Sequence, residues 1–155
     1  MKHRKPTGPK AAPQANTLPR DEAMQLVALF NAGRHVELET RTRLLTVVYP
    51  DSGFVWKILG TALLVQGKDA LFALEKSVAL QPGDAEARST LGNALKGQGR
   101  LAEAVASYRK AVEIKPDFLA GHFNLGIALA ELGQANEAIA SYTRALQLQP
   151  DLVDG

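Results

Sequence analysis

The sequence contains no cysteine, which excludes disulfide bonds and thiolate metal sites. No apolar run approaches the ~18 residues that a membrane-spanning helix needs. The first residues also lack the apolar stretch of a secretory signal peptide, so we expect a cytoplasmic protein that does not enter a membrane. Aromatic residues make up only 6% of the chain. Because no basic stripe with interleaved aromatic residues occurs in the folded part, we expect no nucleic-acid binding.

The excess of positive charge lies at the N-terminus. Residues 1–18 hold four basic residues and no acidic one, whereas the remainder has 14 basic and 16 acidic residues, so the net charge of +2 hides a slightly acidic folded part. The first 18 residues also contain three prolines and few large apolar side chains. This composition predicts a disordered basic tail over residues 1–18. A tail that binds nucleic acid or a membrane is the alternative to a merely solvated one.

Prolines recur at a nearly constant interval. Pro50, Pro82, Pro116 and Pro150 follow one another in steps of 32, 34 and 34, and an aspartate or a glycine comes directly after each. Self-similarity at such a period is typical of stacked identical units rather than of one globular core. Stacked units form extended surfaces, so the pattern favours recognition over catalysis. We expect Asp117, directly after Pro116, to cap the helix that follows.

Each interval contains two helical patterns separated by a glycine. In the clearest unit, residues 117–150, an apolar stretch ends at Gly133, and a second pattern places Ala138, Tyr142 and Ala145 on one helix face. Two helices of about a dozen residues joined by a short turn form an antiparallel hairpin. The sequence therefore predicts one helical hairpin per interval.

The two preceding units repeat this pattern in register. The unit 84–116 has its Leu-Gly pair, turn glycine and tyrosine one full interval before those of the last unit. We expect the helical glycines and alanines to let paired helices approach closely. The unit 53–83 retains Gly67 and Ala70, but two residues are missing between them, which predicts a shortened hairpin turn.

The two ends of the array differ from its middle. The first unit, residues 19–52, is degenerate, since leucine replaces the helical glycine and alanines, although Gly33 still marks the turn and Pro50 the end of the second helix. We expect a looser hairpin there. Residues 151–155 follow Pro150 as 117–121 follow Pro116, and we interpret them as the start of a truncated further repeat in a longer protein. The last hairpin would then expose an apolar flank, from which we expect self-association.

The succession of a bulky residue, Leu-Gly, Gly, Ala, Tyr, Ala and Pro at these intervals resembles the tetratricopeptide repeat. The resemblance covers residues 53–150 strongly and 19–52 weakly. It implies an all-α fold, a right-handed α-solenoid of stacked hairpins whose first helices line a concave groove. Leu-Gly-Asn at 91–93 and Asn-Leu-Gly at 124–126 also resemble the repeat arrays attached to bacterial homologues of O-linked N-acetylglucosamine transferases.

The resemblance also implies which residues line the groove. They are Met24, Val27, Phe30, Lys57, Ile58, Thr61, Val65, Ser89, Thr90, Asn93, Lys96, Phe123, Asn124, Ile127 and Glu131. We expect Asn93 and Asn124 to bind a peptide backbone, whereas apolar members such as Phe123 could instead pack between hairpins. Relatives that clamp a C-terminal carboxylate have an asparagine where Thr61 stands and a lysine where Ser89 stands, so we do not expect that mode of binding.

No arrangement in the sequence indicates catalysis. None of His3, His35 and His122 is paired at the spacing of a metal site, and His122 occupies a packing position equivalent to that of Trp56. Neither a phosphate-binding loop nor a nucleophile with its base can be assembled, so we expect no cofactor and no enzyme activity in this segment. Three functions stay open. They are a noncatalytic scaffold for a protein or peptide ligand, the substrate-docking arm of a longer glycosyltransferase or sulfotransferase, and a self-assembling structural module.

Overall fold

The structure, a computed structural model, describes residues 17–149. These residues form eight α-helices and no strand. The helices are α1 (Arg20–Asn31), α2 (His35–Val48), α3 (Gly53–Val65), α4 (Leu71–Leu80), α5 (Ala85–Gly97), α6 (Leu101–Ile114), α7 (Leu119–Glu131) and α8 (Ala135–Leu148). Consecutive helices pair into four hairpins, and each hairpin packs against the next. The fold is the predicted all-α solenoid.

The predictions for the two ends of the chain fall largely outside the described residues. This holds for residues 1–16 of the predicted tail, for Pro150 and for the further repeat predicted at 151–155. Leu18, which we placed in the tail, is half-buried and packs against the apolar cluster of the first hairpin. The folded part of the chain therefore includes Leu18.

Each hairpin turns at a glycine with left-handed backbone conformation. The φ angles of Gly33, Gly67, Gly99 and Gly133 lie between +69° and +78°. Residues with a Cβ rarely adopt this conformation, whereas glycine adopts it without steric cost. The predicted turn glycines are confirmed.

The short second unit differs from the prediction in where it is short. The loop between α3 and α4 spans residues 66–70, longer than the loop at residues 98–100 between α5 and α6, and α4 has 10 residues against 14 in α6. The interval in the sequence between Ala70 and Ala104 equals that between Ala104 and Ala138, and all three alanines are buried. The two residues that are missing between Gly67 and Ala70 therefore shorten the first turn of α4 and not the loop before it. The predicted shortening of the hairpin turn is wrong.

The helical glycines make room for a side chain of the paired helix. A Cβ on Gly92 would lie 2.6 Å from Cε1 of Tyr108, and one on Gly126 would lie 2.7 Å from Cε1 of Tyr142. In the second hairpin a Cβ on Gly60 would collide with Leu74. Each glycine thus seats the large residue opposite it, which fixes how the two helices pack.

Side-chain caps mark the start of some helices only. Ser52 caps α3 by accepting the N–H of Val55 at 3.3 Å, and Asp84 caps α5 by accepting the N–H of Ala87 at 3.0 Å. The equivalent position before α7 is held by Phe118, which has no such hydrogen bond. The predicted cap at Asp117 is wrong because Asp117 lies one residue too early.

Trp56 and His122 have the same role in their hairpins. The indole N–H of Trp56 donates to the carbonyl oxygen of Pro50 at 2.8 Å, and Nε2 of His122 donates to that of Pro116 at 2.8 Å. Because a carbonyl oxygen only accepts, Nε2 of His122 carries the hydrogen. The predicted equivalence of these two residues is confirmed.

The apolar core is divided into two clusters. The larger runs through the second, third and fourth hairpins, and the smaller joins the first hairpin to α3 through Leu26, Leu29, Leu38 and Ala62. A polar network adds to the junction of α2 with the second hairpin. There the buried Glu39 accepts hydrogen bonds from Arg43 at 2.9 Å, Gln66 at 3.0 Å and Lys68 at 2.6 Å. The first hairpin is therefore attached differently from the others, in line with its degenerate sequence.

Candidate functional site: a groove along the first helices

A groove of about 380 Å³ runs across the first helices of all four hairpins. Its lining combines apolar, amide, hydroxyl and charged side chains. The lining residues are Phe30, Lys57, Ile58, Thr61, Glu86, Ser89, Thr90, Asn93, Phe118, Ala120 and Asn124. Because the hairpins stack in register, one face of α1, α3, α5 and α7 contributes to a single continuous surface.

The structure brings eight of the fifteen predicted residues together in this groove. They are Phe30, Lys57, Ile58, Thr61, Ser89, Thr90, Asn93 and Asn124. Sequence reasoning missed Glu86, Phe118 and Ala120. Phe118 directly precedes α7 and Glu86 lies in the first turn of α5. The repeat pattern predicted groove residues only from the central turns of the helices, so it could not identify these two.

The remaining predicted residues lie outside the lining of this groove. Met24, Val27 and Val65 are exposed, and Ile127 is half-buried. Lys96 and Glu131 form an ion pair between α5 and α7, with Nζ and Oε1 3.4 Å apart.

The structure places Phe123 on the end of the solenoid, where its ring packs against Tyr142 with the centroids 5.8 Å apart. Its equivalents Lys57 and Ser89 bond to the following hairpin, at Asp84 and Asn124. No hairpin follows Phe123 within residues 17–149. The expectation that Phe123 lines the groove therefore does not agree with its position.

Lys57 is neutralised by carboxylates from the next hairpin. Its Nζ lies 2.8 Å from Oδ2 of Asp84 and 3.7 Å from Oε2 of Glu86. Burial by itself would raise the pKa of Asp84, but the hydrogen bonds from Lys57 and from the N–H of Ala87, with the charge of Lys57, outweigh it and lower this pKa. Lys57 thus joins two hairpins at the groove, with Asp84 as its closer partner and Glu86 as the more exposed one.

The two asparagines present complementary polar groups. The hydroxyl of Tyr108 donates to Oδ1 of Asn93 at 2.5 Å, and Nδ2 of Asn124 donates to Oγ of Ser89 at 3.4 Å. Within residues 17–149 no further hydrogen bond involves Nδ2 of Asn93 or Oδ1 of Asn124. The groove therefore offers one amide donor and one amide acceptor on neighbouring helices.

Tyr108 is held in its protonated form. Burial, with the negative charge of Glu131 as a second cause, raises the pKa of Tyr108 to about 12. A protonated hydroxyl is the donor that Oδ1 of Asn93 requires. The buried ring thereby fixes the orientation of the Asn93 amide towards the groove.

Neither a metal centre nor a membrane helix is found in the part of the chain that the structure describes. No group of three or more His, Cys, Asp or Glu residues there is arranged to hold a metal ion. None of the helices in residues 17–149 combines the length and the apolar character needed to cross a bilayer.

Four stacked hairpins with a groove along their first helices define an α-helical repeat solenoid, a class of protein-interaction scaffold. Two family models match the chain, "TPR repeat" over residues 92–133 and "Tetratricopeptide repeat" over residues 120–152. Residues 92–152 therefore contain tetratricopeptide repeats, as the sequence pattern predicts.

Several solved structures share the fold of this chain. A double mutant of MamA from strain RS-1 is 26% identical with a TM-score of 0.75, covering 88% of this chain and 80% of its own. MamA residues 41 to the end from Desulfovibrio magneticus RS-1 are 27% identical with a TM-score of 0.75, covering 83% and 74%. YrrB is 24% identical with a TM-score of 0.73, covering 81% and 66%, and at this identity the likeness concerns the fold alone.

No protein of curated function matches the sequence. The resemblance to repeat arrays attached to transferases accordingly stays a prediction.

Proposed function

We propose that the chain is a noncatalytic scaffold whose groove binds an extended segment of a partner protein. The observation that carries this proposal is the pair of oriented amides, Nδ2 of Asn93 and Oδ1 of Asn124, on adjacent helices of one groove. A carbonyl and an N–H of an extended peptide backbone are the complementary groups. Phe30, Ile58 and Phe118 supply apolar surface for the side chains of the bound segment.

The charges of the groove disfavour a ligand with a free C-terminal carboxylate. Asp84 and Glu86 already neutralise Lys57, and Lys96 is paired with Glu131. With one lysine against two carboxylates around Lys57, a peptide carboxylate would meet excess negative charge. We therefore propose an internal, neutral or basic segment as the ligand, which agrees with the prediction from Thr61 and Ser89.

The structure of YrrB is described as that of a TPR protein with an unusual peptide-binding site. That description concerns YrrB, and its likeness to this chain is limited to the fold. It is nevertheless consistent with a stack of this shape accommodating a peptide.

The double substitution Asn93→Ala with Asn124→Ala tests the proposal. A short peptide is first selected from a phage-displayed random library on the unmodified chain, and its affinity is then measured by fluorescence anisotropy. Two lost hydrogen bonds of about 1 kcal/mol each predict an affinity at least ~10-fold weaker.

Asn136→Ala is the matched control, because Asn136 is exposed on α8 and does not line the groove. This variant should bind the peptide with unchanged affinity. Failure to select any peptide would contradict the proposal, and so would equal affinities of the double variant and the unmodified chain when circular dichroism shows the same helix content.

A further inference from the structure

The groove has a surplus of negative charge, which is located at Glu86. Among the residues that line the groove, Lys57 and Glu86 are the charged ones. Lys57 is neutralised mainly by Asp84, because Nζ and Oδ2 lie 2.8 Å apart and the two side chains are only 21% and 17% exposed. The carboxylate of Glu86 lies 3.7 Å from the same Nζ, and its side chain is 70% exposed. It accepts no hydrogen bond in the part of the chain that the structure describes, so Glu86 retains its capacity to bind a second cation.

Glu86 shares one face of α5 with Asn93, whose amide binds the ligand backbone in the proposed function. Glu86, Thr90 and Asn93 follow one another at intervals of four and three residues, which places their side chains on one face of the helix. All three line the groove. At a rise of about 1.5 Å per residue, Glu86 lies roughly 10 Å from Asn93 along the helix axis. Because the groove crosses the helices, a long side chain that extends along α5 is needed to connect a backbone held at Asn93 with this carboxylate.

The start of α7 supplies apolar surface for the stem of such a side chain. Phe118 and Ala120 line the same groove, and α7 packs next to α5. The methylene stems of lysine and arginine cover apolar surface while their charged ends stay in contact with water. Lys115 lies over the ring of Phe118, 5.5 Å from its centroid, which shows that this ring accepts a cation. Lys115 is not part of the groove lining, so the carboxylate of Glu86 stays accessible to a cation of the ligand.

We propose that the groove selects a lysine or an arginine in the bound segment and that Glu86 is the residue that selects it. This inference rests on the proposed function and narrows the ligand from a neutral or basic segment to one with a basic side chain at a fixed distance from the backbone held by Asn93 and Asn124. The attraction between two partly exposed charges is small, so Glu86 contributes more to specificity than to affinity.

Peptides selected from a phage-displayed random library on the unmodified chain provide the first test. Their aligned sequences should show lysine or arginine enriched at one position. Peptides from a parallel selection on Glu86→Gln should lack this enrichment, whereas peptides selected on Glu75→Gln should retain it. Glu75 is exposed on α4 and does not line the groove, so this matched control removes the same charge from another part of the molecule.

The pairing itself is measured with one selected peptide and a version of it in which glutamine replaces the basic residue. By fluorescence anisotropy, Glu86→Gln should weaken binding of the basic peptide about 2–5-fold and leave binding of the glutamine peptide unchanged. Glu86→Lys should reverse the preference, so that a peptide with glutamate at the same position binds more tightly than the basic one. Circular dichroism establishes that the helix content of the variants is unchanged.

Selected peptides without a preferred basic position would overturn this inference and leave the proposed scaffold function intact. The same conclusion would follow from an equal effect of Glu86→Gln on both peptides, from an unreversed preference in Glu86→Lys, or from loss of the enrichment in Glu75→Gln. Failure to select any peptide would overturn both the inference and the function on which it rests.

Discussion

At the scale of single residues, packing inside each hairpin depends on one small and one large partner. Glycine at positions 60, 92 and 126 faces leucine or tyrosine from the paired helix. In the first hairpin the sizes at the equivalent positions are exchanged, since Leu26 replaces the glycine and Thr42 the tyrosine, and both are fully buried. The size of each residue is therefore set by its partner across the hairpin and not by the helix to which it belongs.

Two glycines of α5 should respond oppositely to the same substitution. Gly92→Ala directs a methyl group into the ring of Tyr108 and should lower the free energy of unfolding by about 1–3 kcal/mol. Gly97→Ala meets no atom within 4 Å and should raise it by up to about 1 kcal/mol, because alanine has the higher helix propensity. Urea denaturation measures both values, and a loss of stability of equal size in the two variants would contradict this account.

At the scale of helices, the start of α5 determines how the second and third hairpins join. Asp84 caps α5 and at the same time accepts a hydrogen bond from Lys57 of α3. Helix α7 has no side-chain cap, and Phe118 at the equivalent position lines the groove instead. Equivalent positions thus have different roles, since Asp84 stabilises the start of α5 whereas Phe118 before α7 contributes apolar surface to the groove.

Asp84→Ala should lower the free energy of unfolding by about 1–2 kcal/mol, because a cap and an interhairpin contact are lost together. Urea denaturation measures this change. Asp117→Ala, at an exposed residue that caps no helix, should stay within about 0.5 kcal/mol of the unmodified chain.

The effect of Asp84→Ala should also depend on pH. The pKa of Asp84 is lowered from its ordinary value of 3.8, so its stabilising contribution is present above that value and lost as the pH falls below it. Denaturation at neutral and at acidic pH measures the difference between variant and unmodified chain. A difference that grows on acidification would contradict the assignment.

At the scale of the whole molecule, the solenoid is not uniform. Helix α1 packs mainly on α2, less extensively than the helices of the other hairpins pack on each other. Arg41 of α2 fastens α1 by donating to Glu22 at 2.7 Å and to Gln25 at 2.5 Å. The apolar cluster of the first hairpin, which includes Ala62 of α3, is separate from the larger cluster that runs through the other three hairpins. We therefore expect the solenoid to open locally from α1.

Hydrogen exchange followed by mass spectrometry should show α1 exchanging faster than α5 and α6. Arg41→Ala should accelerate exchange in α1 and leave α7 and α8 unchanged. Arg144→Ala, at an exposed position of α8, is the control and should have no effect on α1. Protection of α1 equal to that of α5 would contradict the expected order of opening.

The number of hairpins, the positions of their turns and the presence of tetratricopeptide repeats could be predicted from the sequence alone. Each of these follows from a local signal. Glycine permits the left-handed turn, proline ends a helix, and the spacing of apolar residues defines the face that is buried. Such signals act within one hairpin, so the degenerate first unit could still be identified from Gly33 and Pro50.

Which side chains meet between hairpins could be seen only once the hairpins were stacked. Lys57 is neutralised by Asp84 and Glu86 from the next unit, Asn93 is oriented by Tyr108, and Phe123 lies at the open end. These contacts depend on the angle at which hairpins stack and on whether another hairpin follows. A repeat pattern in the sequence predicts neither the stacking angle nor the presence of a neighbour, because it treats every unit as if it had the same surroundings.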